Sequence, residues 1–392
     1  MQIAKNYIRS AAAFVTKKGR LETIVAIASV ATVLALAEGC KSPGKPAAAG
    51  GQSSPGTLTA GGQGTVAANP ANASNPGQAR PAKQMLDAVA VSQLREKSIG
   101  IIFAALASNS PELRANGIEA LSVVPARLGT ALPAALADAN PGVRAVAAKV
   151  AGRSKRSEGV QQLQILSNDP VSFVRAAAIF ALVQNGQSID QTPLAQMLFS
   201  PDASVKAEAA YLLGELGNRS ALPMLREAAT RPMGRVDPAV ATKTQLQIAE
   251  AMVKLGDDGA VSSIRAALYP AQEKDFENAA LAAQILGQLR DKASADQLVF
   301  ITAFQETGKQ KLPAEVRLAA AGSLAQLGND RGSFIADEYV GNALAPLRAQ
   351  SAYVYGETGR KENLTQLAAL LGDAQPLVQI AAAAAVLKLT DR

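Results

Sequence analysis

An all-α solenoid of about nine helix pairs is the fold this sequence predicts, and three observations carry the prediction. A motif of a turn, often with proline, then Val-Arg or Val-Lys, then alanine-rich residues closing on Leu-Gly, recurs from residue 86 to the end. Within each copy the apolar residues fall three and four apart, one face of an α-helix. Hydrophobic residues make up 48% of the chain but aromatics only 4%, so the core must be alanine and leucine, which suits packed helices better than sheets.

In chain order, residues 1–39 read as a secretory leader. Lys5, Arg9, Lys17, Lys18 and Arg20 precede Thr23–Ala37 (TIVAIASVATVLALA), an uncharged run of 15 residues that is short for a membrane span. The run ends in Ala37-Glu38-Gly39-Cys40, and Cys40 is the only cysteine. Small residues before a cysteine resemble the lipobox of bacterial lipoprotein signal peptides, in which the thiol is acylated and the cysteine becomes the new N-terminus. Gly39 fits that pattern, whereas Ala37 and Glu38 depart from it. The resemblance implies a lipid anchor at Cys40 and a periplasm-facing place on the cell envelope. Lys41, in the position where Asp would resemble an inner-membrane retention signal, points to the outer membrane. The alternatives are an uncleaved inner-membrane signal anchor over Leu21–Ala37 and an incidental buried cysteine.

Residues 40–85 form the next unit, the lipidated cysteine and its tether. Rich in Pro, Gly and Ala and almost without large apolar side chains, the tether cannot offset the entropy of ordering and is expected to be disordered, with a reach of roughly 35–40 Å.

The repeats occupy 86–392. Anchored on the basic or equivalent residue, the copies fall at Arg114, Arg144, Arg175, Lys206, Gln245, Ala279, Arg317, Arg348 and Gln379, mostly 31 residues apart. A period of that length marks a solenoid of helix pairs. In the copy SPDASVKAEAAYLLGELGNRSALPMLREAAT, residues 200–230, Val205, Ala209, Leu212, Leu213 and Leu216 lie on one helical face. Asp202 suits its N-cap and Gly217-Asn218 its C-terminus. Pro111, Pro141 and Pro376 suit first-turn positions, where a missing N–H costs nothing. Such short helices need neighbouring copies to cover their apolar faces. Helix layers roughly 8–10 Å apart would give a solenoid on the order of 80 Å long.

The recurring Pro–x–Val–Arg–x–x–Ala–Ala–x–x–Leu–Gly resembles the HEAT repeat, in particular the short bacterial form named after phycobilisome lyases. The copies at Gln245 and Ala279 are degenerate. The resemblance implies that the recurring arginines (Arg114, Arg144, Arg175, Arg317) bond carbonyls and acids of adjacent repeats, and that the protein binds other proteins. It also leaves an alternative, an accessory subunit of a modifying enzyme in the manner of the bilin lyases.

Charge and chemistry narrow the function. The net charge of +7 resides wholly in residues 1–85, and the remaining 30 basic and 30 acidic residues cancel, which argues against nucleic acid as a partner. Histidine is absent, which removes the usual general acid/base and the commonest metal ligand. No cofactor, metal or catalytic residue is expected, and the His-Glu iron motifs of deoxyhypusine hydroxylase have no counterpart.

Two surfaces are the candidates for a protein or peptide partner. Nine residues after each anchor stands a mostly polar row that includes Glu215, Lys254, Gln288 and Gln326, which would floor a concave groove. Three consecutive connections are longer than the rest, Thr230–Val240, Tyr269–Asp275 and Gln305–Pro313, all on one edge. Insertions in a solenoid gather where binding happens, so Arg231, Arg235, Glu273, Lys274, Lys309 and Lys311 are read as a partner-binding lip.

Overall fold

The computed structural model describes residues 85–303 and 312–391. Over these, 18 α-helices alternate between two layers. The outer helices are α1 (Ala88–Leu106), α3 (Pro125–Leu136), α5 (Val160–Leu166), α7 (Thr192–Leu198), α9 (Leu222–Thr230), α11 (Val261–Ala266), α13 (Ala295–Ala303), α15 (Phe334–Tyr339) and α17 (Leu364–Leu370). The inner helices, which carry the anchors, are α2 (Pro111–Leu121), α4 (Pro141–Arg153), α6 (Ser172–Gln184), α8 (Ala203–Leu216), α10 (Pro238–Lys254), α12 (Phe276–Gln288), α14 (Ala314–Gln326), α16 (Ala345–Glu357) and α18 (Pro376–Thr390). They make nine outer–inner pairs, an α-solenoid, and the degenerate copies at Gln245 and Ala279 form regular inner helices. The leader, Cys40 and the tether lie outside the described residues.

Local signals act as their chemistry dictates. Asp202 Oδ1 accepts from the Ser204 and Val205 N–H groups, and Gly217 ends α8 with φ at +71°. Pro111, Pro141 and Pro376 each open an inner helix.

The arginines join one repeat to the next. Arg114 donates to the Ser108 and Asn109 carbonyls of its own turn and, through Nε and Nη2 at 2.7 and 2.8 Å, to both oxygens of Asp138 in the next. Arg144 repeats the arrangement on the Asp138 and Ala139 carbonyls and on Asp169, as does Arg348 on Asn342, Ala343 and Asp373. Arg175 keeps the carbonyl contacts, and Arg317 bonds the Thr302 carbonyl and Glu338. Where the anchor is glutamine, the amide does the carbonyl's share: Gln245 Nε2 donates to Ala229 O at 3.0 Å.

A linear array about 80 Å long does not form, because the two ends of the solenoid meet. α18 packs along α1 and reaches α2, and Ile99 and Ile102 of α1 share one continuous core with Val378, Ala382 and Val386 of α18. Arg95 Nε donates to Asp391 Oδ1 at 3.0 Å across the seam. The described residues thus form a ring, with α1, the longest helix among them, wedged into the last gap. Curvature in a solenoid is the sum of small rotations per repeat; here nine of them return the chain to its start.

The inner helices are not evenly spaced. Gly152, Gly214, Gly287 and Gly356 each stand eight residues after an anchor, but only in every second inner helix: α4, α8, α12 and α16. Each faces a small residue six after the next anchor: Ala181, Ala251, Ser323 and Ala385. A Cβ at Gly214 would fall 2.9 Å from Ala251 Cα, and one at Gly356 3.0 Å from Ala385 Cα. The backbones of α4/α6, α8/α10, α12/α14 and α16/α18 therefore cross closely, while the joints between these pairs are looser.

Candidate functional site

Connections from outer to inner helices all lie on one rim, called upper here; those from inner to outer lie on the lower rim. The site is best approached from the interior outwards, since the interior was one of the two candidate surfaces.

The polar row nine after each anchor faces the inside of the ring and is largely self-paired. Lys254 Nζ bonds Glu215 at 2.7 Å and Glu250 at 2.6 Å. Gln326 Nε2 donates to the Tyr353 hydroxyl at 2.8 Å, Gln184 Nε2 to the Glu215 carbonyl, and Lys388 Nζ to Glu357 at 2.6 Å. Gln288 closes α12, half-buried. Arg153 forks onto Glu119 at 2.6 and 2.7 Å.

Contacts that skip a repeat altogether include Lys149 of α4 with Glu208 of α8 at 3.2 Å and Arg153 with the Tyr211 hydroxyl. They pass in front of α6, so the ring is narrow there. Lys149 and Glu208 are 3% and 2% exposed, and one Glu208 oxygen, Oε2, has no protein partner. Tyr211 lies between two ammonium groups, 5.9 Å from Lys149 Nζ and 5.5 Å from Lys254 Nζ.

The electrostatics follow from burial and pairing. Burial opposes the Lys254 charge, but Glu250 and Glu215 outweigh it and hold the ammonium above its ordinary range. Burial likewise opposes the Arg153 charge, and Glu119 more than offsets it. The Tyr211 hydroxyl is pushed up chiefly by burial, as is that of Tyr353, with Glu357 adding to it. Neither tyrosine is poised to lose a proton near neutrality. Tyr355 is fully buried, its hydroxyl donating to Asp337 at 2.7 Å. These groups are largely committed to one another.

The upper rim differs. The first two insertions run from the end of α9 to the start of α10 and from the end of α11 to the start of α12. Of the third, residues 304–311 with Lys309 and Lys311 lie outside the described residues. Arg231 pairs with Glu227 and stacks 4.4 Å over the Phe199 ring, which fixes its side chain on the rim. Arg235, Glu273 and Lys274 are exposed. The structure brings Arg231 and Arg235 onto one connection, with Glu273 and Lys274 on the next. Glu215, Lys254, Gln288 and Gln326 it places apart from them, in the interior.

Sequence reading missed the apolar part of this rim. Among the described residues eight large apolar side chains are exposed, and six of them stand on or beside upper-rim connections: Phe103, Ile165, Val240, Tyr269, Phe300 and Leu344. The other two, Met85 and Val89, lie at the start of α1 on the lower rim. Val240, Tyr269 and Phe300 adjoin the three insertions, and the Tyr269 hydroxyl meets Gln297, one turn before Phe300. Nothing in the sequence separates these residues from core ones: they stand at the ends of outer helices, at the start of an inner helix or in the connections. A cleft of about 280 Å³ also opens on this rim between α1 and α3, walled by Phe103, Leu106, Ala131 and Ala134 over the Arg114–Asp138 pair.

Among the described residues there is no group of His, Cys, Asp and Glu that could hold a metal ion. No helix among them is long and apolar enough to cross a membrane.

These features define a closed helix-pair repeat ring with one apolar, looped rim. Residues 99–183 match the family model for HEAT repeats, and 205–231 match that for the PBS lyase HEAT-like repeat. Those two segments are therefore similar to HEAT repeats. No curated protein matches it. Among solved structures it is similar to the CpcE–CpcF complex of phycocyanin lyase from a Nostoc species, at 19% identity over 64% of this chain and 91% of that one, TM-score 0.35. Human deoxyhypusine hydroxylase in complex with glycerol is similar at 14% identity over 78% and 100%, TM-score 0.34. An engineered protein is similar at 17% identity over 78% and 92%, TM-score 0.31. Likenesses at this level carry nothing about activity.

Proposed function

We propose that this chain is a non-catalytic scaffold that binds a protein or peptide partner on its upper rim while a lipid on Cys40 holds it at the bacterial cell envelope. The observation that carries the reading is the asymmetry of the rims: the longest connection among the described residues, 267–275, and six of the eight exposed large apolar residues described share one of them. Aromatic and aliphatic side chains among mixed charges are the composition of protein interfaces, and a rim of mixed sign does not suit a polyanion. The interior supports the same assignment, since its polar groups are largely committed to one another.

α1 begins on the lower rim, so the chain leading back to Cys40 departs from the side opposite the loops. Envelope placement, and the outer membrane in particular, rests on the leader and on Ala37–Cys40 and Lys41. A second reading, the accessory subunit of a modifying enzyme, draws on the lyase-type repeat at 205–231.

The test replaces the three insertions by two-residue turns and compares crosslinked envelope proteins with those of the wild type, helicity being checked in parallel. Loss of specific capture with full helicity is expected, and unchanged capture would refute the assignment. Intact mass of the native protein beside Cys40→Ser reads the anchor: a chain starting at Cys40 with acyl mass is expected, and an uncleaved, unacylated one rules it out.

A further inference from the structure

Close and loose joints alternate around the ring, and the alternation has a cause in the sequence. At the close joints glycine lets two inner helices touch backbone to backbone; the loose joint after α6 has Val183 at the equivalent position, that after α10 has Val253, and that after α14 has Ala325. A branched side chain at a crossing holds the axes apart, whereas glycine lets them approach. Of all neighbouring inner pairs, α10 and α12 approach least. Direct polar links between them include Asn278 Nδ2 to the Ala239 carbonyl at 3.2 Å and a long Lys243–Glu277 pair at 3.9 Å with Glu277 exposed. The connections that enter these two helices are the two described insertions, bearing Arg231 and Arg235 on one and Glu273 and Lys274 on the other.

We propose that the ring is articulated: α4/α6, α8/α10, α12/α14 and α16/α18 move as four rigid blocks, and the α10/α12 joint is a hinge whose opening is set by whatever the two flanking loops hold. Segments with sparse packing between dense units open at lower free energy than the units themselves, and a ligand bound across such a joint shifts its equilibrium by its differential affinity for the two arrangements. A partner gripping both loops would bind one arrangement better than the other. The part given to the partner rests on the function proposed above; the articulation does not.

The experiment reads articulation alone, in the full mature-length chain with Cys40→Ser. Spin labels go on equivalent positions, thirteen after the anchors: Asp258→Cys with Lys292→Cys across α10/α12, and Ser157→Cys with Ser188→Cys across α4/α6. All four residues are exposed. Dipolar distance measurement should give a distribution at least about twofold broader across α10/α12. Equal widths overturn the articulation. Hydrogen exchange on the chain without labels provides a second reading, with α11, at the loose joint, expected to exchange faster than α5, at the close one; equal or reversed rates overturn it as well. Loops that fail to capture a partner while the widths still differ refute the binding role and leave the hinge standing.

Discussion

Gly214→Ala and Gly100→Ala are chemically the same change and should have opposite effects. In a helix interior alanine is ordinarily the better residue, by about 0.5–1 kcal/mol. At Gly214 the new methyl would lie 2.9 Å from Ala251 Cα and 3.0 Å from Ala251 Cβ, where carbon atoms prefer roughly 3.5–4.0 Å. The obstruction is backbone and a methyl stub, so no rotamer relieves it; α8 and α10 must draw apart along their crossing. Overpacking of this kind costs about 1–3 kcal/mol. Set against the helix gain, the net expectation is a loss centred on about 1 kcal/mol. Gly100, on the exposed face of α1, has nothing within 4 Å of its Cβ position and should gain the full helix term. The assay is urea unfolding followed by circular dichroism, comparing the first transition because a repeat ring need not unfold in one step. A Gly214→Ala protein as stable as the wild type would refute the close-crossing argument, and with it the basis for rigid blocks.

Two further expectations concern charge. Hydrogen bonds from Arg348 hold the Asp373 carboxyl below its ordinary 3.8, burial opposing them. A depressed folded value means the stabilisation is present above about 4 and is lost as pH falls through the folded pKa. The stability gap between wild type and Asp373→Asn should therefore narrow on acidification from pH 6 to 3, and a constant gap would contradict it. The buried Lys149–Glu208 pair is 3% and 2% exposed; Lys149→Met alone should cost about 3–5 kcal/mol by stranding the carboxylate, and Lys149→Met with Glu208→Leu should recover most of it. Chemical denaturation decides, and a single-variant loss below about 1 kcal/mol would mean the site is wet rather than paired.

How far the sequence discloses this protein is clearest residue by residue. Asp202, Gly217 and Pro141 act within four residues of themselves, so their roles as cap, terminator and first-turn residue were legible, and the structure agrees. The arginine anchors were legible too, because Arg114, Arg144 and Arg348 each bond carbonyls five and six residues back and an acid in the next turn, Arg175 keeping the carbonyls alone. The insertions stood out as breaks in the period. Their apolar neighbours did not, since an exposed Tyr269 or Phe300 looks in sequence like any core residue. The interior row was read with the right polarity but as an open floor; Glu215 and Lys254 bond each other because the curvature brings their helices together.

The sequence by itself determined the helix pairs, their number and their mode of stacking, because those depend on contacts within one period or between adjacent ones. Only the tertiary structure decided that the ends meet through α1 and α18, that Lys149 reaches past a whole repeat to Glu208, and that close and loose joints alternate. Closure is a sum over nine small rotations, and no single repeat carries the sum in its own residues.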